Sequence, residues 1–144
     1  MIETIYTFII CWIMVFLLHE LCHLLEAMRQ GTPGAIRVWK FGIIPSFIAI
    51  PDGEIRNKFL FALSGGLYSG LLILPLAIIS LIRNYEPFAF TFTTLAVINI
   101  CYSFFEAKYL FSMDRRKYMI IHYLIYIVIC IIMFVLFYVV KILD

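Results

Sequence analysis

The sequence predicts an all-α polytopic membrane protein of about four transmembrane helices, with a short membrane-associated β-hairpin between the first two. Composition is the first reason. Of 144 residues, 65% are hydrophobic and 14% charged, whereas water-soluble domains carry about 45–50% apolar and ~25% charged residues. A chain this short has too little interior to hide the excess from water. The second reason is that the apolar residues gather into four long runs. The third is the stretch between the first two runs, where β-branched and aromatic residues replace a continuous apolar span.

The first segment covers residues 5–28, apolar through Leu18 and then interrupted by His19, Glu20 and His23. Met1-Ile2-Glu3-Thr4 ahead of it lacks a basic stretch and no small-residue cleavage site follows, so the segment is expected to stay in the protein. Gln30-Gly31-Thr32-Pro33-Gly34 then punctuates the chain. Residues 35–50 alternate in part (Ile36 and Val38 against Arg37 and Lys40) and are split by Gly42 and Pro45, a pattern of two short strands. Pro51-Asp52-Gly53 supplies a turn.

The second segment, residues 59–82, contains no charge and is long enough to cross ~30 Å of hydrocarbon. The third covers residues 88–105 and the fourth residues 118–140. With no internal repeat and no low-complexity linker, residues 1–144 read as a single domain. Cys11, Cys22, Cys101 and Cys130 lie in apolar runs without a C-x-x-C pair and are read as buried, reduced thiols.

Lys and Arg give the orientation. Arg29, Arg37, Lys40, Arg56 and Lys58 follow the first segment, and Lys108, Arg115, Arg116 and Lys117 follow the third. The connection between segments two and three holds only Arg83, and the C-terminal end only Lys141. The positive-inside rule puts both basic loops in the cytoplasm and both termini outside.

Chemistry concentrates in His19-Glu20-Leu21-Cys22-His23. Ionisable side chains inside a membrane helix are costly and functional by default. Two histidines at i and i+4 share a helix face, so both imidazoles can reach one Zn²⁺. Glu20 lies about 100° further round, off the ligand face but placed to take a proton from water. Two ligands and one general base is the division of labour of H-E-x-x-H. A catalytic zinc needs a third protein ligand. Asp114, Glu106, His122 and Glu26 are the candidates, Glu26 also standing where it can pair with Arg29. Asn99 reads as an interhelical hydrogen-bonding residue, and Gly65, Gly66 and Gly70 as a helix-packing surface.

Three blocks resemble the site-2 protease family of intramembrane zinc metalloproteases. Residues 16–31 (FLLHELCHLLEAMRQG) are similar to its first metal motif. Residues 62–69 (ALSGGLYS) are similar to its Ala-x-x-Gly-Pro-x-x-Asn helix start, with Gly66 and Ser69 in place of Pro and Asn. Residues 106–115 (EAKYLFSMDR) lie on its Asn-x-x-Pro-x-Pro-x-x-Asp-Gly pattern, with Glu106, Tyr109, Phe111 and Arg115 departing from it.

The resemblance implies a minimal core without PDZ or CBS domains, holding one Zn²⁺ per chain by His19, His23 and Asp114 with Glu20 as catalytic base. It implies hydrolysis of peptide bonds in membrane-embedded substrates near the cytoplasmic face. The expected partners are membrane lipids and a transmembrane peptide or protein, with no nucleic acid. The alternative from another class is a non-catalytic membrane adaptor or immunity protein that retains the fold.

Overall fold

The computed structural model describes residues 2–41 and 44–139. The hairpin break at Gly42 and the C-terminal residues from Val140 onward, Lys141 included, lie outside the described residues. Most of the chain is helical: α1 (Ile2–Arg29), α2 (Lys58–Ile82), α3 (Glu86–Tyr109) and α4 (Arg115–Phe134), the last continued by a π-helical stretch, Val135–Val139. Four helices among the described residues are long and apolar enough to cross a membrane. Between α1 and α2 stand β1 (Gly34–Phe41) and β2 (Ile44–Pro51), an antiparallel pair with Ile36 opposite Ala49 and Gly34 opposite Pro51.

Each helix end has a local cause. At the end of α1, Thr32 N–H donates to the Ala27 carbonyl and Gly31 N–H to that of Met28, both at 2.9 Å, while Gly31 takes φ of 81°. This is the Schellman closure, which needs a left-handed residue that glycine adopts without steric cost, and Pro33 follows to prevent continuation. The start of α2 is capped by Asn57, whose side chain accepts from Leu60 N–H at 2.9 Å.

These two ends are tied together. Arg29 forks onto Glu26 through two bonds of 2.8 and 2.7 Å, and Gln30 bridges Glu26 to the backbone of Asn57. Glu26 therefore serves a structural clamp that fixes the last turns of α1, including His23, against the start of α2.

Helices α2 and α3 form an antiparallel pair joined by a short turn, in which Asn84 takes φ of 53°, a conformation asparagine tolerates better than most residues. Their approach is set by small residues. A Cβ placed on Gly66 would overlap the Asn99 carbonyl oxygen and stand 2.8 Å from Ser103 Cβ. One on Gly70 would stand 2.6 Å from Ile100. Helix α1 crosses both, and α4 packs chiefly on α3.

Two apolar clusters result. One joins Val15, Ile73, Leu95 and Ala96, with Phe8, Trp12 and Phe92 around them. The other joins Ala27, Ile55 and Phe61, with Leu110 against them, at the end of the bundle that carries the basic segments. Along α1, the two histidines fall between Val15 and Ala27, so apolar packing bounds them on both sides.

Replacing Gly66 by valine is expected to separate α2 from α3 and to destabilise the protein by about 1–3 kcal/mol, the usual cost of overpacking. Thermal unfolding in detergent, with Gly53→Ala as a loop control, checks this.

Candidate metal centre

The one-turn spacing of His19 and His23 brings their rings together at centroids 4.9 Å apart, with the two Nε2 atoms 3.2 Å from each other. Each ring is held from behind. His19 Nδ1–H donates to Asn99 Oδ1 at 3.0 Å, and His23 Nδ1–H to the Phe61 carbonyl at 2.7 Å. The Asn99 amide is itself oriented, because its Nδ2 donates to the Leu95 carbonyl at 2.8 Å and Ser69 Oγ donates to its Oδ1 at 3.0 Å. The His23 ring stacks on Phe61, with centroids 4.9 Å apart. Asn99 is thus the interhelical hydrogen-bonding residue that the sequence suggested.

These partners decide the tautomer. Both Nδ1 atoms face acceptor oxygens, so both carry the proton, and both Nε2 atoms present lone pairs inward. Metal-ligating histidines are oriented in this way, the second nitrogen donating to a carbonyl or carboxylate.

The third group is Glu106. Its Oε2 lies 3.2 Å from His19 Nε2 and its Oε1 3.3 Å from His23 Nε2. Oε1 also accepts from Tyr118 O–H at 3.1 Å, and Tyr118 in turn accepts from Tyr102 O–H. Oε2 has no hydrogen-bond partner although it is buried. Two neutral imidazoles and a carboxylate therefore converge with their lone pairs facing one another, an arrangement that repels unless a cation or proton sits among them.

His19, His23 and Glu106 are the group of ligand-type side chains among the described residues that lies close enough to hold one ion. The donor separations of 3.2–3.3 Å match a tetrahedral zinc, whose ligands at ~2.0–2.1 Å stand about 3.3 Å apart. The orphaned Oε2 and the donor chemistry both fit a divalent cation.

Room for that cluster is made by a glycine. A Cβ on Gly65 would run into the His23 imidazole and stand 2.7 Å from His19 Nε2. Two further small residues beside it, Ser64 and Ser69, are almost fully buried, and Ser64 turns its hydroxyl onto the Phe61 carbonyl.

Asp114, matched to the third ligand by the family pattern, is placed elsewhere. It is the exposed N-cap of α4, and its Oδ1 accepts from Arg116 N–H at 3.1 Å and Lys117 N–H at 3.3 Å. The physical reason is local: an aspartate ahead of a helical run satisfies amides that the first turn leaves open. Its contribution to the centre is indirect, since Tyr118 N–H donates to the Asp114 carbonyl at 2.9 Å, one turn into the helix that presents the Tyr118 hydroxyl to Glu106.

Glu20 is buried, and its Oε2 accepts from Ala49 N–H of β2 at 2.6 Å. It lines one cavity of about 440 Å³ together with His19, His23, Glu106 and His122, walled by residues 47–51 of the hairpin and by α3 and α4. The hairpin is thereby part of the site, a role the sequence did not indicate.

Comparisons of the chain with protein-family models, with curated proteins and with solved structures gave no match.

Alanine at His19, His23 or Glu106 is expected to abolish stoichiometric zinc binding, whereas Asp114→Ala should keep it, as read by elemental analysis of purified protein. Tyr118→Phe should retain zinc at a ~10–100-fold weaker affinity, the usual effect of losing a partner of a ligand, measured by competition with a chelator.

Proposed function

We propose that the chain is an intramembrane zinc metalloprotease, with His19, His23 and Glu106 holding Zn²⁺ and Glu20 acting as general base. The observation that carries this reading is the convergence of two imidazole Nε2 atoms and a carboxylate at 3.2–3.3 Å in a cavity that a second carboxylate, Glu20, also lines. The donor set alone also suits Fe²⁺. A carboxylate next in sequence to the first histidine, free of the ligand cluster, is what favours hydrolysis. Residues 16–31 and 62–69, which resemble the site-2 protease family, point the same way.

Zn²⁺ at this position supplies Lewis acidity, polarising a peptide carbonyl and acidifying water. The remaining work falls to the chain. Ala49 N–H fixes Glu20 Oε2, leaving Oε1 as the atom that accepts a proton from the attacking water and returns it to the leaving amine. Asn99 and the Phe61 carbonyl hold the imidazoles in the tautomer that keeps Nε2 unprotonated. Strand β2 presents an open edge, since Ala49 directs its N–H to Glu20 and not to β1. Alternation along a strand turns the backbone groups of Phe47 the same way. A substrate segment unwound from its helix can satisfy its own amides along that edge. Its unwinding is required, because carbonyls within a helix are already hydrogen-bonded.

The membrane disposition follows from the same ends. The basic residues of 29–58 and 108–117 flank the end of the bundle nearest the cavity, which supports a site near the cytoplasmic face.

Glu20→Gln is expected to keep zinc and lower cleavage by ~10²–10⁴-fold. The measurement is the appearance of new N-termini within membrane segments of proteins in vesicles carrying either form. Zinc-loaded wild type that yields no such termini, with a biological effect unchanged in Glu20→Gln, would instead favour the adaptor.

A further inference from the structure

Among the described residues, one polar side chain lining the cavity is left over once the metal centre is assembled. His122 of α4 is 9% exposed, and its Nδ1 is buried with no hydrogen-bond partner. The other polar side chains of the cavity wall are engaged: His19 with Asn99, His23 with the Phe61 carbonyl, Glu20 with Ala49, Tyr118 with Glu106, and Tyr102 with Tyr118. Burying an imidazole without a partner costs free energy that a leucine there would not.

The ring is also held rigidly. Tyr102 meets it edge-on at 4.4 Å and Tyr126 stacks on it at 4.6 Å between centroids. The same Tyr102 ring lies 6.1 Å from that of His19, so His122 stands one aromatic ring away from the metal ligands. Aromatic walls fix where an N–H of this imidazole points, and neither tyrosine hydroxyl bonds its Nδ1.

Hydrolysis of an amide needs a donor for the carbonyl oxygen as it gains negative charge, and donors fixed beforehand are worth most. We infer that His122 is a catalytic residue that donates a hydrogen bond to the carbonyl oxygen of the bound peptide. The inference rests on the metalloprotease reading and adds a third function to the cavity wall, beside ligation and proton transfer.

The test uses full-length, zinc-loaded protein in detergent and an N-acyl dipeptide hydroxamate, which offers one group to the metal and a carbonyl beyond it. Binding is measured by calorimetry for wild type, His122→Phe and His122→Gln, with zinc content determined on each sample. His122→Phe is expected to keep one zinc and bind the hydroxamate about 10-fold more weakly, the equivalent of one net hydrogen bond. His122→Gln, which keeps a donor, should recover part of the loss. His122→Met replaces His122→Phe if the latter does not fold. Equal binding in the variant without a donor overturns the assignment, as does loss of zinc from it or failure of zinc-loaded wild type to bind the probe. A wild type that takes no zinc overturns the metalloprotease reading as well, which separates the two failures.

Discussion

Everything in the inner half of this bundle depends on one electrostatic constraint. Two imidazole lone pairs and a carboxylate face one another at 3.2–3.3 Å between membrane-length helices. Charge buried at low dielectric costs several kcal/mol per ion unless it is balanced. Glu20 and Glu106 both lie in this cavity, and two carboxylates beside neutral imidazoles would be balanced by one divalent cation. The packing serves that arrangement. Gly65 clears the space, Asn99 and Phe61 aim the rings, and Tyr118 holds the carboxylate. The Glu26 clamp keeps the end of α1 in register with α2.

The division of the molecule into supporting and working parts follows from this. Helices α2 and α3 come close through glycines and serines and form the rigid half. The working wall is built from less tightly packed pieces, β2 and α4, of which α4 touches chiefly α3. A cavity between such parts admits an extended segment more readily than a gap between close-packed helices does. The hydrogen bond from Ala49 to Glu20 couples the hairpin to the carboxylate proposed as general base, so in that proposal the strand that aligns a substrate also orients the group that acts on it.

Much of this was legible in the sequence. Apolar run length located the four helices, and β-branched residues split by Gly42 and Pro45 marked the hairpin. The i, i+4 spacing of His19 and His23 gave a shared face, and Glu26 was placed beside Arg29. The structure sets Glu106 rather than Asp114 beside the two histidines, and two features of the sequence hid this. Counting apolar residues ended the third segment at Phe105, whereas α3 runs on to Tyr109 and carries Glu106 inward as one of its buried residues. A family pattern then drew attention to Asp114, whose position ahead of Arg116 and Lys117 amides is that of a helix cap. A signal was present in Asn99, Ser103 and Glu106, which recur at i, i+4 and i+7 and so share one polar stripe on an apolar helix. What no pattern in one chain reveals is which strand residue meets Glu20, or that Tyr118 meets Glu106, because those contacts join segments far apart in sequence.

The central claim is that one divalent cation is held by two imidazoles and the Glu106 carboxylate. X-ray absorption at the zinc edge of the purified, metal-loaded protein tests it most directly. The expected first shell contains two imidazole nitrogens and oxygens at about 2.0–2.1 Å, with no sulfur, and is lost with the metal in Glu106→Ala. A sulfur shell at ~2.3 Å, which would bring in Cys22, or a spectrum unchanged in Glu106→Ala, would contradict it.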